Sequence, residues 1–381
     1  MSSTSEQPCY QFISDNEQFL ALCEQWVEVK EIGIDTEFMR TDTFYPIVGL
    51  LQVVVGDEYY LIDPLSVNQF EAFSSILQDE TITKILHACP EDIEVLQLLT
   101  GAIPSPIFDT QVAAAFVGYG FSIGYQRFVD TALGVVLPKG ETRSNWLQRP
   151  LRDAQLEYAS HDIEYLMPLY QHLRAKLKEL SREEWLEAEM RNLLQKLSTQ
   201  EPFSEAYRTA KSAWKLRRKE LAILQRLCEW REQTARQRNK PRNFVVKEQS
   251  LWLIARYKPQ SIQQLSDIEF IGPGTLRQYG QTLLDIVSAN SSLDEDECPE
   301  LLPTPLPKEV GPLLKALKAC VREKAEALDI PTEILVRKKQ YEAIVRSGFN
   351  NGEYCLPEEL NGWRRPLVGD LLLQTAKNFE I

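Results

Sequence analysis

The sequence has few of the residues that disulfide frameworks and structural zinc sites need. Its 381 residues include only three histidines and seven cysteines. The cysteines are scattered along the chain, are odd in number and form no CxxC pair. This pattern excludes a disulfide scaffold and a zinc-finger type of site, and it predicts a reducing, cytoplasmic setting.

Long hydrophobic runs are also missing. The longest apolar stretch, VGLLQVVVG, is far shorter than the roughly 20 residues that a membrane-spanning helix needs. The N-terminal stretch MSSTSEQPCYQFISDNEQF is polar, so we expect no signal peptide and no membrane partner. The chain is long enough for two or three domains of ordinary soluble composition, with 44% hydrophobic and 25% charged residues.

Charge is distributed unevenly along the chain. The net charge is −13, but residues 1–204 hold 14 basic and 31 acidic side chains (−17), and residues 205–290 hold 16 and 8 (+8). Residues 291–308 are acidic and rich in proline, which is typical of a linker without a core. We therefore predict an acidic domain over 1–204, a basic domain over 205–290, a linker over 291–308 and a last domain over 309–381.

Hydrophobic patterning predicts an α/β domain followed by helices. Residues 25–63 contain three candidate strands, WVEVKEIGIDTEF, GLLQVVVG and YYLIDP, with short breaks that suggest an antiparallel meander. Strand and helix patterns then alternate, and residues 151–180 predict one long helix because apolar residues recur at spacings of three and four. A mixed sheet follows from this order of elements. The remainder of the chain has helical patterns.

Several carboxylates occupy unusual positions. Asp35 and Glu37 in IGIDTEFMR lie two apart in a predicted strand, so they face the same side about 7 Å apart. Asp92 falls in the first turn of a predicted helix, where an acidic residue is favoured for electrostatic reasons alone. Asp162 lies one helical turn after Tyr158, and a lone pair of this kind is usually an ordinary helix surface.

Taken together, these acids predict a metal centre. Clustered carboxylates repel one another by several kcal/mol unless protons or cations neutralise them. Oxygen ligands without histidine or cysteine suit Mg²⁺ or Mn²⁺. Two such ions a few ångströms apart are the usual apparatus for hydrolysing phosphodiesters, so we expect two divalent ions and a tyrosine hydroxyl that orients the attacking water.

The order and spacing of these motifs resemble a known family. DTE, HACPED and YASHD are similar to the three exonuclease motifs of the DEDD superfamily, and the tyrosine four residues before the last aspartate marks its DEDDy branch. LPKGETRSNWLQRPL resembles the lead-in to the third motif in the ribonuclease D family. The basic segment from KSAWKL to NKPRNFVVK resembles an HRDC domain, and GWRRPLVGDLLL resembles the end of a second, HRDC-like domain.

The resemblance implies a fold and an activity. The fold would be an α/β, RNase H-like exonuclease domain with a mixed sheet, followed by two small all-α HRDC-type domains. The activity would be 3′→5′ trimming of RNA with a 3′ extension, with release of 5′-mononucleotides. The expected substrates are tRNA precursors, and no obligate protein partner is implied.

The resemblance also implies a role for each site residue. Asp35 would bind both metal ions, and Glu37 and Asp162 would bind the ion that carries the nucleophilic water. Asp92 would serve the second ion, and Tyr158 would position the attacking water. Catalysis and metal binding are thus expected from the same four acids.

Three neighbouring features leave alternatives open. The motif places its aspartate second in Glu91–Asp92, although Glu91 is a rival, and Cys89–Pro90 stands where the family has small residues. His87, at the end of a predicted strand, is more often a hydrogen-bonded core residue than a catalyst, but a role beside the substrate stays open. His161 lies about 100° around the helix from Asp162, which favours a structural or surface role.

The basic segment predicts an RNA-binding surface, with a solvated helix face as the alternative. The basic candidates share this segment: Lys211, Lys215, Arg217, Arg218, Arg236, Arg238, Lys240 and Arg242. Phe38, which follows the first motif, is a candidate for stacking on a terminal base, and a core position is an equal alternative.

Two other functions fit parts of the sequence. The first is a catalytically inactive exonuclease fold that serves as a binding scaffold, which the presence of all four acids and the tyrosine disfavours. The second is a DNA exonuclease of the proofreading kind. That enzyme would use the same chemistry and differ only in sensing the 2′-hydroxyl, for which the sequence shows no motif.

Overall fold

The computed structural model describes residues 10–138, 140–141, 144–199 and 201–379. These residues form two compact units. The first, here called the α/β unit, contains the described residues up to 39, residues 48–198 and residues 306 onward. The second, the basic helical unit, contains residues 40–47 and 199–305.

A six-stranded sheet forms the centre of the α/β unit. Its strands are β1 (Tyr10–Ile13), β2 (Glu31–Met39), β3 (Ile47–Val55), β4 (Glu58–Ile62), β5 (Thr83–Leu86) and β6 (Ile107–Asp109). Their order in the sheet is β1-β4-β3-β2-β5-β6. The pairs β1–β4, β2–β5 and β5–β6 are parallel, and β3–β4 is antiparallel. The predicted mixed sheet is confirmed.

The first predicted strand begins too early. Helix α1 (Asn16–Trp26) covers part of the stretch assigned to that strand, and β2 starts only at Glu31. The helix buries Phe19, Leu22, Cys23 and Trp26, which are spaced three, one and three residues apart on one face. Because Trp26 completes this buried face and packs edge-on against Tyr60 at 5.2 Å, the helical period prevails over the β-branched residues that follow.

Seven further helices belong to the first part of this unit. They are α2 (Glu71–Gln78), α3 (Pro90–Thr100), α4 (Thr110–Phe116), α5 (Tyr125–Leu133), α6 (Asp153–Glu164), α7 (Leu166–Glu179) and α8 (Glu183–Ser198). The predicted start of α3 at Pro90 and its end before Gly101 are confirmed, with Gly101 in the left-handed conformation at φ 77°.

The single long helix predicted over residues 151–180 is wrong. It is two helices, α6 and α7, which are separated at Tyr165. Pro168 explains the break, because proline has no N–H to donate to the Glu164 carbonyl and its ring would clash with that group. The apolar stripe is nevertheless buried as expected, from Ala159 to Leu177.

The C-terminal helices also pack within the α/β unit, although residues 309–381 were predicted as a separate domain. They are α14 (Gly311–Leu328), α15 (Thr332–Leu335), α16 (Lys338–Gly348) and α17 (Asp370–Lys377). The Trp363 ring, which precedes α17, stacks on Trp185 of α8 at 4.9 Å and 14°. Arg364 is 7% exposed and donates to Glu189 at 2.5 Å. Aromatic stacking and a buried ion pair thus join these helices to the sheet domain.

The basic helical unit has its own core. Its helices are α9 (Arg218–Gln237), α10 (Arg242–Val245), α11 (Glu248–Tyr257), α12 (Ile262–Ser266) and α13 (Pro273–Ser291). Residues 40–47, which connect β2 to β3, belong to this unit. The predicted division at residue 204 had placed them in the first domain. The Asn239 side chain accepts the N–H groups of Phe44 and Tyr45, each at 3.0 Å.

The predicted linker has more structure than its composition suggested. Cys298 is 5% exposed, and Arg218 donates to the carbonyl oxygens of Cys298 at 2.9 Å and of Pro299 at 3.2 Å. This part of the linker therefore follows the surface of the basic helical unit. None of the helices in the described residues is long and apolar enough to cross a membrane.

Replacing Trp363 tests the attachment of the C-terminal helices. We expect Trp363→Ala to lower the free energy of unfolding of the α/β unit by about 2–4 kcal/mol, because it removes the stack on Trp185 and the edge contact with Phe116. Denaturant unfolding followed by tryptophan fluorescence and circular dichroism measures this. Leu371→Ala, at a side chain that is 38% exposed, is the control. Equal stability of the two variants would contradict the attachment.

Candidate active site

Two of the four predicted acids lie on the central strand β2. Asp35 and Glu37 are partly exposed, and Thr36 between them is buried. This alternation places the two carboxylates on the same side of the strand, as the sequence predicted. The neighbouring strands β3 and β5 cover both edges of β2, so its backbone is held in register.

Asp92 joins this pair from the first turn of α3. Its side chain is 7% exposed, and the Thr36 hydroxyl donates to its carboxylate at 2.5 Å. The rival acid, Glu91, is exposed to solvent. The structure thus brings the second acid of the HACPED motif to β2 and leaves the first outside. Thr36 was not singled out by sequence reasoning, although it is the middle residue of the DTE motif.

The turn that leads into α3 depends on a further acid. Ala88 has a positive φ of 58°, an unusual conformation for a residue with a side chain. The Asp109 carboxylate accepts the N–H groups of Ala88 at 3.1 Å and Cys89 at 3.0 Å, and it also caps α4 through the N–H of Gln111 at 2.8 Å. Asp109 therefore fixes the start of the helix that carries Asp92. Its position before a helix was the available signal, and the analysis of the sequence missed it.

Asp162 and Tyr158 lie one turn apart on α6, and the Tyr158 hydroxyl is close enough to the Asp162 carboxylate to lower the pKa of that acid. The break between α6 and α7 is close to this pair. There the Tyr165 N–H donates to the Tyr125 hydroxyl at 3.0 Å instead of continuing the helix. Tyr125 is thus a third residue that sequence reasoning missed, after Thr36 and Asp109.

The electrostatics of the four acids show that they share one site. Burial, and then repulsion by Asp92, Asp162 and Glu37, raises the pKa of Asp35 well above its usual range. Burial and the charges of Asp162 and Asp92 raise the pKa of Glu37 to about 9. Burial raises the pKa values of Asp92 and Asp162 to about 7 each. Burial is the common cause, and repulsion within the cluster adds to it for Asp35 and Glu37.

The donor set fits divalent cations, although it does not enclose one as it stands. Within the described ranges, no three carboxylate, histidine or cysteine groups are gathered closely enough to hold an ion without movement. The charges of Asp92, Asp162 and Glu37 nevertheless all raise the pKa of Asp35, so the four carboxyl groups lie near one another. A set of oxygen donors with unneutralised charge is what Mg²⁺ or Mn²⁺ binds best.

The histidines near the site have structural partners. The His87 ring contacts the Thr110 hydroxyl at 2.8 Å and the Ile123 carbonyl at 3.0 Å, and burial lowers its pKa. The hydrogen bond to Glu164 at 2.8 Å raises the pKa of His161. These contacts agree with the structural roles favoured from the sequence.

The structure divides the predicted RNA-binding residues into two groups. Arg236 and Arg242 both pair with Glu232, which is 5% exposed, and both guanidinium groups lie 4.8 Å from the Phe44 ring centre. Arg218 holds the linker, as described above.

Two more basic residues of this group have partners within the basic helical unit. Arg238 donates to the Tyr279 hydroxyl at 2.7 Å, and Lys240 pairs with Asp42 at 3.5 Å. Five of the eight basic residues therefore make contacts that stabilise the basic helical unit. An RNA-binding role for them stays a prediction.

Lys211 and Lys215 differ, because their exposed side chains line a surface cavity of about 590 Å³. Arg217 is also exposed. Phe38 is half-buried at the end of β2, and its stacking role stays a prediction.

Comparison with known proteins agrees with the geometry. Residues 10–178 match the family model described as "3'-5' exonuclease", residues 220–287 match "HRDC domain", and residues 311–372 match "Ribonuclease D, C-terminal HRDC domain". The chain is 44% identical to ribonuclease D of Pseudomonas paraeruginosa over 97% of this chain and 98% of that protein. It is 37% identical to the Escherichia coli protein of the same name, over 95% and 97%.

A solved structure extends the likeness to three dimensions. The crystal structure of Escherichia coli RNase D, described as an exoribonuclease involved in structured RNA processing, superposes with a TM-score of 0.90. The match is 34% identical and covers 98% of this chain and 100% of that one. The sheet domain with its buried carboxylates and the two HRDC domains define an exonuclease of the 3′–5′ class. Within that class the chain belongs to the ribonuclease D family, whose members are hydrolases.

Removing one charge from the cluster tests the electrostatics. The folded protein holds protons on Asp92 and Asp162 up to about pH 7 and on Glu37 up to about pH 9, well above their values in the unfolded chain. Protonation therefore contributes stability that is complete below about pH 4 and is lost as the pH rises towards 9. Asp162→Asn should relieve this loss, raising Tm by about 2 °C or more at pH 8 in EDTA and by nothing at pH 4.

Thermal unfolding at the two pH values measures this difference. Asp130→Asn, at an exposed acid on α5, is the control and should leave Tm unchanged at both. A lower Tm for Asp162→Asn at pH 8 would show that the carboxylates do not repel one another in the folded protein.

Proposed function

We propose that this chain shortens RNA from its 3′ end by hydrolysis with two divalent ions, releasing 5′-mononucleotides. The observation that carries the proposal is the meeting of Asp35, Glu37, Asp92 and Asp162 in one partly buried cluster, with Tyr158 beside it. Full-length similarity to proteins named ribonuclease D supports RNA rather than DNA as the substrate. We further propose RNA precursors with 3′ extensions, such as those of tRNA, as its substrates, and a cytoplasmic setting without an obligate protein partner.

Each acid would have a place in holding the ions. Asp35, whose carboxyl group is affected by all three others, would bind both ions. Glu37 and Asp162 would hold the ion beside the attacking water, and Asp92 would hold the second. When bound, the ions lower the pKa of water and stabilise the leaving oxygen of the phosphodiester. Mg²⁺ and Mn²⁺ both suit this donor set.

The residues of the chain would do the remaining work. Tyr158 stays protonated at neutral pH, because burial and the charges of Asp162 and Glu37 raise its pKa. Its hydroxyl can therefore accept a hydrogen bond from the attacking water while it donates to Asp162. Thr36 holds Asp92 in its rotamer through the 2.5 Å hydrogen bond, so this acid needs little reorganisation during the reaction.

The basic helical unit offers a place for the negatively charged strand. Its cavity of about 590 Å³ is lined by Lys211, Lys215 and Lys247, all of which have exposed side chains. Glu248 also lines the cavity, but its carboxylate accepts a hydrogen bond from the backbone N–H of Lys211 and pairs with Arg231 at 3.9 Å. Three lysine side chains therefore line the cavity together with one acid that already has partners. This excess of positive charge favours the binding of phosphate groups there.

Aromatic side chains accompany these lysines. Trp252 lines the cavity, and Trp214 lies under Lys215, whose Nζ is 5.4 Å from its ring centre. Phe270 is 46% exposed, with the Lys247 Nζ 4.7 Å from its ring centre. Lysines next to exposed aromatic rings suit a single strand, because its phosphates meet the charges and its unpaired bases stack on the rings.

Replacing one acid at a time tests the catalytic proposal. Asp35→Ala and Asp92→Asn should each reduce shortening of a structured RNA with a 3′ single-stranded extension at least about 10³-fold, because each removes a ligand of the ions. A gel assay in Mg²⁺ measures this. Filter binding of the same RNA should stay within about twofold of the wild type.

The neighbouring acid supplies the matched control. Glu91→Gln changes an exposed carboxylate one residue away from Asp92 and should leave the rate unchanged. The wild type should be inactive in EDTA and should leave the DNA counterpart intact. Equal trimming of DNA would overturn the RNA assignment, and binding without trimming of either strand would favour a scaffold.

Replacing the three cavity lysines tests the RNA-binding surface. The triple variant Lys211→Ala, Lys215→Ala, Lys247→Ala should weaken binding of a single-stranded oligoribonucleotide about 10-fold or more at low salt. It should also reduce the slope of log Kd against log salt by about 2, because about 0.7 counterions are released per phosphate contact. Fluorescence anisotropy across a salt series measures both quantities.

The control variant removes three exposed lysines from the C-terminal helices. They are Lys315, Lys318 and Lys339. We expect Kd to stay within about twofold of the wild type and the salt slope to stay the same. Equal weakening by both triple variants would indicate an effect of net charge only and would contradict a local RNA site.

A further inference from the structure

The Tyr158 ring is enclosed by residues that precede α6. Gly140 lies against one edge of this ring, so that a Cβ atom added there would be 1.7 Å from Cδ2 and 1.8 Å from Cε2 of the tyrosine. Contacts below 3.0 Å are essentially never made by real Cβ atoms. No side chain therefore fits at position 140 while Tyr158 keeps its place.

The requirement for glycine here is one of space. The backbone of Gly140 is outside the left-handed region, unlike that of Gly134 at φ 72°. An alanine could adopt the same backbone conformation without strain. Glycine is therefore needed at position 140 to leave room for the tyrosine ring, and the backbone conformation of the turn does not require it.

Trp146 also contacts the surroundings of the tyrosine. Its ring centre is 6.2 Å from that of Tyr158, with the planes tilted by 37°, and its side chain is 2% exposed. Trp146 itself is fixed on strand β3 at Gly49, where an added Cβ would lie 2.6 Å from the tryptophan Cβ. The sheet therefore supports Tyr158 through Trp146.

Ion pairs hold the same segment to the start of α6. Glu141 accepts hydrogen bonds from Arg152 and from the Ser144 hydroxyl, both at 2.5 Å. Arg149 donates to Asp63 at 2.6 Å, and Asp63 is 3% exposed. Because Arg152 is the N-cap residue of α6, Gly140 is placed relative to the helix that carries Tyr158.

We propose that Gly140 is a positioning residue for the reaction, and that its contact with the Tyr158 ring sets where the tyrosine hydroxyl lies beside Asp162. The inference depends on the proposed function, in which that hydroxyl orients the attacking water. The contact acts on the ring, and the hydroxyl at the far end of the ring moves with it. A displacement of about 1 Å at a reacting group is enough to slow an enzyme by about 10²-fold.

The test replaces Gly140 by alanine. The proposal expects Gly140→Ala to lower kcat for the 3′-extended RNA about 10- to 100-fold, with KM within about twofold of the wild type, because the substrate-binding groups are unchanged. Gly311→Ala is the matched control, since an added Cβ there meets nothing within 4 Å. It should leave both constants unchanged. A kcat for Gly140→Ala equal to that of the wild type overturns the proposal.

A second background separates positioning from loss of stability. Tyr158→Phe keeps the ring but has no hydroxyl to misplace, so adding Gly140→Ala to it should change kcat by less than about twofold. Thermal unfolding of all four proteins is measured alongside. An equal further loss of activity in the Tyr158→Phe background would assign Gly140 a merely structural role and overturn the proposal.

A third variant covers the case in which Gly140→Ala does not fold. Trp146→Phe leaves position 140 as it is and loosens the support on the ring. Trp146→Phe should lower kcat about 3- to 10-fold when it is introduced into the wild type. It should leave kcat unchanged when it is introduced into Tyr158→Phe. A loss of the same size in both backgrounds overturns the proposal. Wild-type activity equal to that of Tyr158→Phe would overturn this inference and the assigned role of the tyrosine, whereas an inactive wild type would overturn the proposed function itself.

Discussion

The gathering of four partly or fully buried carboxyl groups is the constraint on which the site depends. Asp35, Glu37, Asp92 and Asp162 come from a strand and two helices. Burial raises all four pKa values, and the charges of the neighbouring acids of the cluster raise those of Asp35 and Glu37 further. Folding brings them together only because the sheet and the packed helices supply the opposing free energy. Divalent cations would reduce this repulsion, which is the reason that we propose them as ligands of the site.

Other buried acids of the protein behave in the opposite way, which separates carboxylates with a structural role from those of the candidate site. Burial alone would raise the pKa of Asp63, but hydrogen bonds from Arg149 hold it below its usual value. The pKa of Glu232 is likewise lowered, because Glu232 accepts hydrogen bonds from Arg242 and Arg236. A buried acid that accepts hydrogen bonds from an arginine holds a loop or helix in place. A buried acid without such a partner is available to bind a ligand.

The domain organisation has a consequence for experiments with fragments. Removing residues 306–381 would uncover Trp185 and Phe116 of the α/β unit, because Trp363 covers both rings. Removing residues 199–305 would separate residues 40–47 from the helices that bind them through Asn239. Point substitutions are therefore better probes of this protein than truncations, since each truncation exposes apolar surface as well as deleting a function.

The sequence by itself determined the class of fold and predicted the chemistry. The acids lie in short motifs whose spacing follows local rules, such as the period of a strand for Asp35 and Glu37, and the alternation of elements predicted the mixed sheet. Only the tertiary structure decided that Asp92 and not Glu91 faces β2, that Pro168 breaks the helix after Asp162, and that Gly140 abuts Tyr158. These features depend on contacts between residues far apart in the chain, which local periodicity does not encode, because hydrogen bonding and packing choose among side chains that the sequence presents equally.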